Sequence, residues 1–220
     1  MIRVLFDLDG TIIDSFEGIT KCVQYALKSQ GVEVESQEEL RDYIGPPLKY
    51  SFQKHYDFDD ETTDKLIRTY RKRFDETGIF ENELYPCVEE ALRELKNRGY
   101  KIALASSKPE NACRRILDQH GLLNYFDEVV GASTDGRIST KESVLLEVLH
   151  RMELSSPREA VLIGDTVFDV EGARQVGMDC IAVTYGFGSR EDLRQAGAAC
   201  ICEDLEEVAR KIEGYKAVYS

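Results

Sequence analysis

Hydrophobic positions along this chain follow two different rhythms. Between residues 15 and 85 they recur at helical spacing. Ile19, Val23, Ala26 and Leu27 share one helical face that stops at Gly31, a natural helix end. Ser36-Gln37-Glu38-Glu39 has the form of a capping box and opens a short helix ending near Gly45-Pro46-Pro47. Leu66, Ile67, Tyr70 and Phe74 mark another helix, closed by Gly78. No strong strand signal interrupts this stretch, so an all-helical insertion is predicted. Elsewhere short apolar runs alternate with amphipathic segments. Val4 to Phe6, Lys101 to Ala105, Glu128 to Val130, Ala160 to Ile163, Cys180 to Val183 and Ala199 to Ile201 are too short for helices and read as strands. Helices are predicted over 88–99, around Ile116 and Leu117, and over 139–152, 168–177 and 205–212. Strands alternating with helices imply right-handed crossovers and a parallel sheet covered on both faces. The expected fold class is α/β. A doubly wound parallel sheet built from residues 1–14 and 86–220 carries an all-helical cap, residues 15–85, inserted after the first strand.

The polar residues at the ends of the apolar runs give the pattern its chemistry. In open α/β sheets ligands bind beyond the carboxyl ends of the strands. The first run ends in Asp7-Leu8-Asp9-Gly10-Thr11, where Asp7 and Asp9 share a face of an extended chain and Gly10 permits a sharp turn. The run at 101–105 delivers Ser106, and the run at 160–163 delivers Asp165. Like charges crowded at one sheet edge raise one another's pKa unless a cation lies between them. Oxygen-only ligation suits Mg²⁺. The bland alternative for the first strand tip is an Asp-Gly turn with a helix cap behind it. Ser107 with Glu110, and Thr166 with Asp169, equally have the form of helix caps.

Lys141 stands out. Ser139-Thr140-Lys141-Glu142 resembles a capping box, which puts a cation in the first turn of a helix, where the dipole disfavours it. That position makes sense if Lys141 faces an acidic pocket or a bound anion; otherwise it is a solvated lysine.

Composition narrows the partners. The net charge of −13 over 220 residues argues against nucleic acid or an anionic membrane surface. No apolar run is long enough to span a bilayer, and Asp7 interrupts the N-terminus too early for a secretory signal. The cysteines (22, 87, 113, 180, 200 and 202) form no CxxC pair and read as reduced thiols, mostly in the core. Histidines 55, 120 and 150 are far apart, which argues against a zinc site. A cytoplasmic monomer or homodimer is expected.

Together, Asp7-Leu8-Asp9-Gly10-Thr11, Ser106, Lys141 and Gly164-Asp165-Thr166-Val167-Phe168-Asp169 resemble the four motifs of the haloacid dehalogenase-like hydrolase superfamily, in order and along the whole chain. The helical insertion with Gly45-Pro46-Pro47-Leu48, the run Ser106-Ser107-Lys108-Pro109 and the loop Tyr185-Gly186-Phe187-Gly188 resemble its phosphoglycolate phosphatase-like branch. The resemblance implies a Rossmann-like core and an Mg²⁺-dependent phosphatase acting on a small phosphorylated metabolite. It makes Asp7 the nucleophile that forms an aspartyl-phosphate. Asp9 becomes the general acid and then base. It further implies a metal site from the Asp7 carboxylate, the Asp9 backbone carbonyl and Asp165, with Asp169 as an outer or alternate ligand. Ser106 and Lys141 would hold the phosphoryl group, and Gly10, Thr11, Ser107 and Lys108 would bind substrate.

Two departures from the family pattern matter. Lys141-Glu142 replaces the Lys-Pro of many relatives, and Tyr85-Pro86-Cys87 replaces Tyr-Pro-Gly, which suggests a stiffer hinge. Asp9 argues against true dehalogenases and phosphonate hydrolases, which generally lack it. A receiver domain would need about half this length. A 5'-nucleotidase, a pyrophosphatase, a β-phosphoglucomutase-like mutase and a non-catalytic regulatory descendant remain as alternatives. Within the cap, the rigid loop Gly45-Pro46-Pro47-Leu48-Lys49 offers Lys49 as a cation for the substrate if that loop faces the core site; otherwise Lys49 is solvated.

Overall fold

The computed structural model describes residues 1–218, with side chains as far as Tyr215. In chain order its elements are β1 (Arg3–Phe6), β2 (Ile13–Asp14), α1 (Phe16–Lys28), α2 (Leu48–Tyr56), α3 (Asp60–Glu76), β3 (Glu83–Leu84) and α4 (Val88–Asn97). Then come β4 (Lys101–Pro109), α5 (Glu110–Gln119), β5 (Glu128–Ala132), α6 (Lys141–Arg151), β6 (Ala160–Gly164) and α7 (Val167–Val176). The chain closes with β7 (Asp179–Val183), α8 (Arg190–Ala196), β8 (Cys200–Cys202) and α9 (Leu205–Val218). Two compact units result, one of Met1–Ile13 with the chain from Leu84 onward, the other of Asp14–Glu83.

The first unit is the α/β one. Its six-stranded sheet has the order β5-β4-β1-β6-β7-β8, and the strand pairs are parallel. The first strand in the chain is therefore central, flanked by β4 and β6. Phe6 is level with Leu104 on one side and Ile163 on the other, so the tips of all three strands lie side by side. Alternation along each strand explains why both faces are apolar. Leu5, Ala103 and Leu162 pack with Val144, Leu145 and Val148 of α6 and with Val170 and Ala173 of α7. Val4, Phe6, Ile102 and Leu104 are just as fully buried. Burial on both faces is why these strands read as continuous hydrophobic runs.

The second unit is helical. Leu66, Tyr70 and Phe74 of α3 and Ile19, Val23, Ala26 and Leu27 of α1, whose spacing predicts the helices, are buried, while Ile67 of the same set is half-buried; Cys22 is buried beside them. The Ser36–Glu39 capping box is formed, but it opens a 3₁₀ helix, Gln37–Tyr43.

Several elements differ from those the sequence predicts. Helix α8 has no periodic signal because it is only seven residues long; its Ser189 cap and left-handed Gly197 are the local signs of it. Strands β2 and β3 have two residues each and pair with one another, too short to leave a period. Strand β4 runs on to Pro109 across an irregularity in its pairing with β5, past the apolar run that marks it. The box opening α6 is Thr140 with Ser143, not Ser139 with Glu142. Four of the cysteines are buried, whereas Cys87 is exposed and Cys200 half-buried. Among the described residues no helix is long and apolar enough to cross a membrane.

Candidate active site

Because β1, β4 and β6 are neighbours, Asp7, Ser106 and Asp165 emerge at one place on the carboxyl edge of the sheet. The Asp7 amide continues the ladder by donating to the Ile163 carbonyl at 2.9 Å, which fixes the backbone that carries the carboxylate. Lys141, the first residue of α6, reaches the same place. Its Nζ donates to Asp7 Oδ1 at 2.7 Å and to the Ala105 carbonyl at 2.8 Å, and it lies 2.8 Å from Asp169 Oδ1 in an ion pair without hydrogen-bond alignment. Lys141 is therefore not solvated: its side chain is only 6% exposed. A Cβ on Gly172 of α7 would come within 2.6 Å of Lys141 Cγ, so the lysine stem passes only because that position is glycine.

Asp169 forms the helix cap and also faces the acidic cluster. Its Oδ2 accepts from the Thr166 amide at 3.0 Å and the Thr166 hydroxyl at 2.8 Å, capping α7, while Oδ1 faces Lys141. Asp165 is fully buried. Its Oδ2 accepts from the Phe187 amide at 2.7 Å, and its Oδ1 accepts from the Thr11 hydroxyl at 3.3 Å. Asp7, Asp165 and Asp169 each present a carboxylate oxygen within 4.8 Å of the others.

Asp9 lies apart from this trio. Its Oδ1 accepts from Lys108 Nζ at 2.7 Å, in a pair whose side chains are 14% and 7% exposed. Asp9 Oδ2 has no protein partner among the described residues. The Lys108 amide in turn donates to the Ser106 hydroxyl at 3.3 Å, which ties the two residues together through one turn. Thr11 is fully buried with its hydroxyl on Asp165, and Lys108 is engaged with Asp9. Gly10 takes a left-handed φ of +81° and turns the chain directly under Asp165. Ser107 is half-buried in the same turn. Lys49, in the helical unit, is exposed and pairs with Asp60 at 2.8 Å.

The electrostatics are set by burial. Desolvation raises the Asp7 carboxyl to about 6; Lys141 opposes the rise, and repulsion from Asp169 and Asp9 adds to it. Asp165 is pushed up well above the usual carboxylate range, chiefly by burial and then by Asp169 and Asp7. Burial alone would lower Lys141, but Asp169 and Asp7 carry it above the ordinary lysine value. A lysine is thus held charged among carboxylates that the enclosure disfavours as anions. At an effective dielectric of 20, two like charges 4 Å apart cost about 4 kcal/mol. The donor set is all carboxylate oxygen, buried and convergent, and it fits Mg²⁺.

Sequence reasoning missed Gly172, which makes room for Lys141, and the approach of the 185–188 loop to Asp165. Neither carries a signal of its own in the chain, since both are packing relationships between segments distant in sequence.

The geometry agrees with what is similar to this chain. Residues 4–183 match the family model described as haloacid dehalogenase-like hydrolase. A 5'-nucleotidase from Pseudomonas aeruginosa is 35% identical over 213 residues, covering 97% of this chain and 96% of that protein. A phosphoglycolate phosphatase from Aquifex aeolicus is 30% identical, over 84% of this chain and 85% of its own. The crystal structure of a predicted phosphatase from Clostridium acetobutylicum superposes with a TM-score of 0.94 at 43% identity, covering 97% of this chain and 99% of that one. The chain belongs to the haloacid dehalogenase-like hydrolases, as a phosphatase of the phosphoglycolate phosphatase-like branch.

Proposed function

We propose that this chain is an Mg²⁺-dependent phosphomonoesterase that cleaves a small phosphorylated metabolite through an aspartyl-phosphate on Asp7. The observation that carries the reading is the buried Asp7–Lys141 pair set against Asp165 and Asp169: Asp7 and Asp165 stand at the tips of the adjacent strands β1 and β6, and Lys141 and Asp169 come from the first turns of α6 and α7. Counting Lys108, four carboxylates face two lysines, so a phosphoryl dianion brings the pocket to four excess negative charges. Asp7 and Asp165 would hold Mg²⁺ together with the Asp9 carbonyl that the resemblance implies, with Asp169 as an outer or alternate ligand. Bound there, the ion supplies the charge neutralisation that lets a carboxylate and a phosphoryl group approach.

Asp7 attacks phosphorus, and the bond from phosphorus to the ester oxygen breaks as that oxygen takes a proton from Asp9 and leaves as the alcohol. In the second half, Asp9 accepts a proton from water. The water oxygen bonds to phosphorus, and the Asp7 carboxylate is released with inorganic phosphate. Lys141 keeps the attacking oxygen oriented, and Ser106 offers its hydroxyl to a phosphoryl oxygen. Lys108 grips one oxygen of Asp9 and leaves the other for the leaving group.

Turnover of para-nitrophenyl phosphate with Mg²⁺ and its loss in EDTA test the reading. A panel of about fifty phosphate esters then locates the substrate, with nucleoside monophosphates and phosphoglycolate first because proteins so named are among the relatives. Absence of turnover on every ester with Mg²⁺ present leaves the regulatory alternative.

A further inference from the structure

We propose that the loop Tyr185–Gly188, which comes after β7, is the positioning element for Asp165 and that it sets the affinity of the site for Mg²⁺. The inference rests on the metal reading given above and deepens it. Five observations converge on this loop, all within the α/β unit. The Phe187 amide donates to Asp165 Oδ2 at 2.7 Å. The Tyr185 hydroxyl donates to the Thr11 carbonyl at 2.9 Å, and the Thr11 hydroxyl donates to Asp165 Oδ1, so both carboxylate oxygens are held from this one assembly. A Cβ on Gly186 would fall inside the contact surface of Asp165 Oδ2 and of the Gly10 carbonyl. A Cβ on Gly188 would do the same to the Asp165 carbonyl. Finally, the Tyr185 ring packs on Tyr85 with centroids 4.8 Å apart, which anchors the loop at its outer end.

The physical consequence concerns a carboxylate that burial disfavours as an anion. With its two oxygens oriented by an amide and a hydroxyl, Asp165 presents its remaining lone pairs in one fixed direction. A metal then finds its ligand already placed and loses no rotamer freedom in recruiting it. Groups that orient a ligand in this way typically govern metal affinity by 10- to 100-fold.

The test is Mg²⁺ binding to the full chain by calorimetry, with melting in EDTA measured alongside. Gly186→Ala is expected to weaken Mg²⁺ about 10- to 100-fold. Thr11→Val, which is isosteric but lacks the hydroxyl, and Tyr185→Phe are expected to weaken it by about 3- to 30-fold, with Thr11→Ser restoring wild-type affinity. A purely structural role for the loop would lower the melting temperature in EDTA and leave the dissociation constant alone. Should Gly186→Ala fail to fold, Thr11→Val and Tyr185→Phe decide the matter, since the first exchanges a hydroxyl for a methyl group of similar shape and the second removes one oxygen, neither touching the backbone. Wild-type affinity, within about twofold, in all folded variants overturns the role of the loop while leaving the metal site standing. No detectable Mg²⁺ binding by the wild-type chain overturns the metal reading and this inference with it.

Discussion

The two units treat charge in opposite ways. At the sheet edge of the α/β unit, the side chains of Asp7, Asp9, Lys108, Lys141 and Asp169 are between 1% and 14% exposed, and each is paired. In the helical unit the pairs Lys49–Asp60, Lys65–Glu61 and Arg41–Glu38 are all between 47% and 79% exposed. The most enclosed pair there, Arg73–Glu81, is still about 20% exposed on each side. Burying ions costs several kcal/mol each after relaxation, and surface pairs return little. A chain does not enclose three carboxylates around one lysine for stability. On the proposed function, the difference separates groups kept for chemistry from groups kept for solvation, and substitutions in the two regions should behave accordingly.

The sharpest test is Asp7→Asn. The amide is nearly isosteric but cannot attack phosphorus, so turnover should fall by at least about 10³-fold while the circular dichroism spectrum stays that of the native fold. Residual activity within tenfold of wild type, in a preparation free of deamidated protein, removes Asp7 from the nucleophile's role.

Relieving the buried repulsion should show up as stability. With Mg²⁺ at about a hundredfold over its dissociation constant, the folded state gains about 2.7 kcal/mol. The melting temperature in millimolar Mg²⁺ should therefore exceed that in EDTA, whereas sodium at equal ionic strength should not reproduce the shift. Superimposable melts together with full activity in EDTA would rule out a metal at the cluster.

Asp127 supplies an intermediate case within the α/β unit. It stands just before β5, and its side chain is 20% exposed. Burial would raise its pKa, but Lys101, Lys96 and the Ile102 amide outweigh that and bring it down to about 2. A carboxylate depressed in the folded state stabilises at pH values above its unfolded value near 4 and loses that contribution as pH falls toward 2. Asp127→Asn should cost about 1–2 kcal/mol at neutral pH, allowing for screening at a partly exposed site. The gap in denaturant midpoint between wild type and variant should close between about pH 4 and pH 2. A gap that persists unchanged at pH 2 assigns the loss to packing.

What the chain reveals of itself divides along the same line. The strand tips bearing Asp7, Ser106 and Asp165 are legible because a strand buried on both faces reads as an apolar run, and its end is abrupt. Lys141 is legible because a cation in the first turn of a helix contradicts the dipole. Lys108 is legible only through the resemblance, and its pairing with Asp9 not at all: nothing local distinguishes a lysine that reaches Asp9 from a lysine in solvent, and only the sheet order brings residues 99 positions apart together. Gly172, and the approach of the 185–188 loop to Asp165, stay hidden for the same reason, since a glycine needed for room between segments looks like any other. Helix α8 and strands β2 and β3 fall below the length at which a period can form. In the helical unit the burial pattern is clear, but its exposed residues carry no comparable contradiction to read.

Lys49 puts the contrast to its most delicate test. It comes after Pro46 and Pro47, whose fixed φ values present the start of α2 rigidly, and the sequence offers it as a cation for substrate. Its ammonium pairs with Asp60 at 2.8 Å, with both side chains more than half exposed, and Asp60 raises its pKa by hydrogen bonding and charge. A lysine already paired in solvent has little charge left for a substrate anion, and exchanging Asp60 for a substrate returns no desolvation advantage. Lys49→Ala should therefore leave kcat/KM within about twofold of wild type on para-nitrophenyl phosphate and on the best ester of the panel, with the melting temperature essentially unchanged. The informative exception is selective. A loss of roughly 5- to 150-fold confined to the natural ester, with para-nitrophenyl phosphate unaffected, would mean that Lys49 leaves Asp60 to bind the leaving group. In that event at least one exposed charge of the helical unit is kept for recognition, and the division between the two units no longer holds at that residue.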